Sequence, residues 1–194
     1  SATSYDIVDT ASALRYKEAT LNLVVPELKA LLNRWIEIAL REKKTLQIGR
    51  THGQHAEPTT FGFAMCSHIN RLGCMIESLE CFGKRLEGKF SGAVGSYNAS
   101  SLLVRDPLKL EADIMQELGL NSALHSTQVV EPESMLDLLN SVVMAFDVLA
   151  NFADDMRHLQ RSEIGEVMEG FGSRQVGSST MPHKRNPVGF ENVK

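Results

Sequence analysis

The chain has 194 residues, 43% of them hydrophobic, which is enough apolar material for one sizeable core. Its net charge of -4 comes from mixed signs scattered along the sequence, with no basic block to neutralise a run of phosphates, so nucleic acid is not an expected partner. No apolar stretch approaches the roughly 20 residues of a bilayer span and no leader pattern is visible, which together predict a soluble protein.

Cys66, Cys74 and Cys81 are odd in number and lie eight and seven residues apart, matching neither a disulfide framework nor paired zinc ligands. They are expected to be reduced, near one helix face, as small core hydrophobes in a cytoplasmic protein.

From Asp9 to Lys44 the apolar residues recur at three and four, a helix pattern with an interruption expected near Pro26. The pattern returns from Phe61 to Lys89. Asp106 and Pro107 read as the cap and first position of a shorter helix ending near Leu118. The longest stripe runs from Ser134 to Glu166 through Leu138, Val142, Phe146, Leu149 and Met156, a helix on the order of 45 Å long. Alternation typical of strands is absent beyond Thr45 to Ile48. The expected fold class is all-α, a long-helix bundle, with four polar loops at 1–9, 46–60, 89–101 and 165–192.

The second loop contains Gly49-Arg50-Thr51-His52-Gly53-Gln54-His55-Ala56-Glu57-Pro58. Gly53 and Pro58 argue against a helix that would present the two histidines to one metal, so no metal is expected. A histidine used in proton transfer and a histidine bonded only to its neighbours both fit the composition. The fourth loop, rich in Gly, Ser and Pro with Lys184 and Arg185, offers donors to an anion or serves as a plain connector.

The run Gly177-Ser178-Ser179-Thr180-Met181-Pro182-His183-Lys184-Arg185-Asn186-Pro187 resembles the GSSxMPxKxNP signature of the fumarase/aspartase superfamily. The segments Thr3-Ser4-x-Asp6, Gly49 to Gly53 with Glu57 to Gly62, Ser91 to Gly95, and Ser126-Thr127-Gln128 resemble the adenylosuccinate lyase family, in its order and spacing. Val129-Val130-Glu131-Pro132 departs from the Pro-Arg-Asp-Arg-like stretch of many members.

The resemblance implies a bundle of the superfamily type over residues 1–194, the central domain of a longer lyase whose N-terminal and C-terminal domains lie outside this chain. It implies β-elimination of fumarate from adenylosuccinate and SAICAR, with no cofactor. Ser178 would be the base and His52 the acid for the departing nitrogen. Thr3, Ser4, Thr51, Gln128, Ser179, Lys184, Arg185, Asn186 and Asn192 would bind substrate. It further implies a homo-oligomer, expected to be a tetramer. The competing readings are a sibling lyase acting on argininosuccinate, a cycloisomerase, and a bundle with no catalysis. Thr3 and Ser4 could also serve simply as the cap of the first helix.

Overall fold

In the computed structural model the described residues are 2–172, 177, 180, 181 and 183–194. Helical conformations take about 59% of them, and the all-α expectation holds. Helix α1 (Ser4–Ala19) runs through a π turn, Thr20–Val24, into α2 (Val25–Arg41). The interruption thus falls just before Pro26, which supplies no amide to the carbonyl one turn back; a wider turn accommodates that loss.

The stretch 46–60, expected to be a loop, is instead an antiparallel hairpin of β1 (Leu46–Thr51) and β2 (Gln54–Thr60). Its two-residue turn is His52-Gly53, with φ of 55° and 73°. Two left-handed residues match the right-handed twist of paired strands, which is why so short a connection closes here. A bulge lies between Ile48 and Arg50.

Helix α3 (Phe61–Arg85) follows directly. Its second residue must be glycine, since a Cβ on Gly62 would lie 2.3 Å from the Ala39 carbonyl oxygen. Short strands β3 (Glu87–Gly88) and β4 (Asn121–Ser122) pair in parallel on either side of α4 (Pro107–Glu117). Asp106 caps α4 by accepting from the Lys109 amide at 2.9 Å, as its sequence indicates. Helix α5 spans Glu133–Leu159 and α6 spans Val188–Val193.

The stripe expected to continue to Glu166 ends at Leu159. The chain turns there, with Gly165 at φ 61° and the Glu166 amide bonded back to the Leu159 carbonyl. The three cysteines are exposed rather than packed in the core. Helix α5 is also, by length and composition, apolar enough to cross a membrane, contrary to the absence of such a stretch read from the sequence. Asp147 lies near its middle, and a carboxylate at the centre of a bilayer costs roughly 2.5 kcal/mol or more.

Two compact units divide the chain. The first, residues 1–32 and 73–143, is built on buried Ala13, Val25, Leu28, Ile76, Leu79, Leu86, Met115 and Leu138. The second, residues 33–72 and 144–194, packs Trp35, Met65, Leu72, Val148 and Met156. Within it the Trp35 and Phe152 rings lie 4.3 Å apart between centroids, with His68 edge-on to Phe152 at 5.3 Å.

The turn geometry makes a stability prediction. A left-handed backbone costs a residue bearing a Cβ on the order of 1 kcal/mol. His52→Gly is therefore expected to raise the denaturant midpoint of the full-length protein, and His52→Val to lower it. Equal midpoints in all three proteins would contradict the geometry.

Candidate active site

The segments singled out by sequence fall into both units. In the first, Thr3 is the N-cap of α1 and Ser4 its first residue. The Thr3 amide donates to Asp6 Oδ2 at 2.8 Å. Asp6 Oδ1 accepts from Lys89 Nζ and from the amides of Ser91 and Gly92, both at 3.2 Å. Lys89 Nζ also donates to the Gly92 carbonyl at 3.0 Å. The Asp6 and Lys89 side chains are 1% and 0% exposed, so the pair is out of water. Burial alone would raise the Asp6 carboxyl; Lys89 and the amides of Thr3 and Gly92 outweigh it and hold the group below the ordinary aspartate value.

Thr10 fixes the Lys89 backbone from both sides, its hydroxyl donating to the carbonyl and accepting from the amide, each at 3.0 Å. Thr3, Asp6 and the 91–94 turn line a cavity of about 540 Å³ with Tyr97. Tyr97 holds a left-handed backbone at φ 56° while its hydroxyl donates to buried Glu111. Burial and that carboxylate push the phenol well above its usual range. Gln128 is exposed, in a loop closed by a bridge between Ser126 and Val130.

In the second unit Thr51 and His52 are exposed at the end of the hairpin. Strand β1 is tied down along its length by Glu166, which accepts from Arg50, next to the turn end, at 2.5 Å and from Gln47 Nε2, near the base, at 2.9 Å. Arg50 holds the Glu166 carboxyl below its usual value. Arg50 lies in a motif segment and Glu166 in none, neither was given a part by sequence, and at a separation of 116 positions no local pattern could have paired them.

Lys184, Arg185 and Asn186 line a cavity of about 650 Å³ together with Arg157, His158, Arg161 and His183. Four of the lining residues carry fixed positive charge and two, Glu163 and Glu191, are carboxylates, with Arg157 already paired to Asp154 at 2.7 Å; sequence gave His158 and Arg161 no part. The Arg185 guanidinium stacks over Phe171, 5.0 Å from the ring centre. Gly177 lies close against Lys184: a Cβ there would lie 2.2 Å from the Lys184 carbonyl oxygen. Asn192 is exposed on α6, whose first amides at Gly189 and Phe190 donate to Glu169. Ser178 and Ser179 lie outside the described residues. His68, given no role by sequence, is buried and bonded to Asp155 at 3.1 Å. Among the described residues no three His, Cys, Asp or Glu side chains gather as metal ligands.

A family model described as Lyase matches residues 1–194. The chain is 42% identical to the adenylosuccinate lyase of Pyrococcus abyssi over 99% of its own length and 42% of that protein's. It is 40% identical to that of Aquifex aeolicus, over 98% and 42% respectively. Among solved structures, the 3-carboxy-cis,cis-muconate lactonizing enzyme of Pseudomonas putida superposes with a TM-score of 0.86 at 30% identity, over 99% of this chain and 42% of that one. The chain thus spans less than half the length of these relatives. A model matched from end to end, together with this helical architecture, shows that the chain belongs to the lyase family of the fumarase/aspartase superfamily.

Proposed function

We propose that this chain is the central segment of a lyase that cleaves adenylosuccinate, and SAICAR, to release fumarate. The observation that carries this reading is the 40–42% identity to adenylosuccinate lyases over nearly the whole chain. The four motif segments that resemble the family agree with it.

The reaction removes a proton from the carbon beside a carboxylate and breaks the neighbouring C–N bond. Charge builds on that carboxylate as the proton leaves, and placed cations and amide donors stabilise it. In our assignment Ser178 takes the proton. Lys184 and Asn186 hold the substrate carboxylates, and His52 protonates the departing nitrogen. The electron pair left by the proton forms the fumarate double bond, and the C–N pair leaves with the nitrogen. Thr3, Ser4, Thr51, Gln128, Ser179, Arg185 and Asn192 contact the remaining carboxylate, phosphate and base. A free serine hydroxyl is a poor base, so this role requires that Lys184 and backbone amides stabilise its oxyanion.

A cycloisomerase is the second reading, favoured by the likeness to the muconate lactonizing enzyme. Offering the full-length protein adenylosuccinate, argininosuccinate and a carboxymuconate separates the two: fumarate from adenylosuccinate supports ours, and lactone formation without it supports the other.

Self-association also belongs to this proposal. Leu136, Leu139, Val143 and Phe146 form a row along α5, each 38–63% exposed. Monomers avoid so continuous an apolar face. We assign it to contact between copies of the protein in a cytoplasmic homotetramer. Sedimentation of the full-length protein should show tetramers at micromolar concentration; a stable monomer would contradict this.

Loss of either reacting group should act mainly on turnover. Ser178→Ala and His52→Asn, the latter able to keep the left-handed turn, are each expected to lower kcat by about 10²- to 10⁴-fold. Lys184→Ala should weaken binding and turnover together, because substrate and transition state both feel its charge. Near-normal kcat in either of the first two proteins would remove that residue from the mechanism.

A further inference from the structure

The elements that carry Thr3, the 91–95 turn and Gln128 are tied together by buried groups to which no catalytic or binding part has been given. Asp6 is the first of them. One carboxylate oxygen takes the Thr3 amide, and the other takes Lys89 and the amides of Ser91 and Gly92. The Ser91 hydroxyl continues the chain to Ser126 Oγ at 2.8 Å, with both residues buried. Ser126 opens the loop that bears Gln128, and the far end of that loop is held by Asp9, which accepts from the Val130 amide at 2.9 Å.

The contact between turn and loop has no slack. A Cβ on Gly95, whose φ is 74°, would lie 1.9 Å from the Ser126 carbonyl oxygen. The turn and the loop therefore cannot shift independently, and α1 fixes both.

We propose that Asp6 and the Ser91–Ser126 hydroxyl pair are positioning residues of the substrate site, setting Thr3 and the Gln128 loop in one fixed arrangement. This rests on the assignment of Thr3, Ser4 and Gln128 as substrate contacts. The three groups act through their neighbours, their side-chain oxygens being bonded to other groups of the protein. Placement errors near 1 Å can cost about 10²-fold in rate, so small displacements in this network are enough to be measured.

Two proteins test it in full-length form. Ser126→Ala removes one hydroxyl and leaves the ion pair intact. Asp6→Asn combined with Lys89→Met removes both charges at nearly constant shape, a change that buried pairs often tolerate. An asparagine cannot accept on both sides, because its NH₂ faces either the Thr3 amide or those of Ser91 and Gly92. We expect cooperative unfolding in both, at a midpoint near the parent's in Ser126→Ala and a lower one in the double variant, with KM for adenylosuccinate raised at least about 10-fold in the double variant and about threefold in Ser126→Ala, effects in the range of misplaced binding groups. Protection of the fold by added fumarate should weaken in parallel.

Unchanged KM and unchanged fumarate protection in a folded variant would overturn the proposal. If the double variant shows no cooperative unfolding, Ser126→Ala decides by the same two measurements. If the parent protein releases no fumarate from adenylosuccinate, the substrate assignment has failed. Fumarate protection then still decides positioning: loss in the variants supports it, and equal protection, or none in any protein, overturns it.

Discussion

Everything at the start of α1 depends on two charges held out of water. Desolvating a carboxylate and an ammonium costs several kcal/mol each, and their attraction offsets this only when the remaining hydrogen-bonding capacity is also used. Asp6 meets that condition with three amides besides Lys89, and Lys89 with a second bond to the Gly92 carbonyl. The arrangement is consequently all or nothing. An amide that left Asp6 would leave a buried carboxylate short of a partner, so the N-terminus of α1 and the 89–92 segment behave as one piece. Protons destabilise it in one direction only: the depressed Asp6 carboxyl contributes its stability above the ordinary aspartate range and loses it as pH falls through the lower, folded-state value.

The hairpin of the second unit is held differently. Arg50 and Glu166 are about one-fifth and one-quarter exposed, within reach of solvent and salt. Ion pairs of this kind contribute little, so the hairpin owes most of its order to its own backbone ladder and short turn. A group that donates a proton at its apex would rest on a less rigid support than the groups around Thr3. Loops and hairpin ends commonly carry such chemistry on a stiffer scaffold.

The helices were legible because their apolar residues repeat at three and four, and Asp106-Pro107 announced α4 by local chemistry alone. The hairpin was not. Strand β2 is exposed along most of its length and β1 is half-buried on both faces, so neither shows an alternation of buried apolar and exposed polar residues, and Gly49, Gly53 and Pro58 read as loop formers. Composition also misplaced Cys66, Cys74 and Cys81, all exposed, since an apolar side chain does not say which face of its helix is covered. Among the site candidates, motif resemblance singled out His52, Thr3 and Lys184, and its segments contained Asp6, Ser91 and Ser126 without giving those three a part. Asp6 and Lys89 are 83 residues apart, and a lysine soon after a helix end looks like an ordinary solvated charge until the fold buries it.

His52 occupies a backbone conformation that glycine or asparagine would adopt at less cost. At that one position, folding and the assigned chemistry pull the amino acid in opposite directions, as is common where function is superimposed on a strained element. A library screened only for survival of heating would thus drift away from histidine there, enriching variants that are sturdier and, under our assignment, idle. The residue would be held only by a screen that also demands turnover.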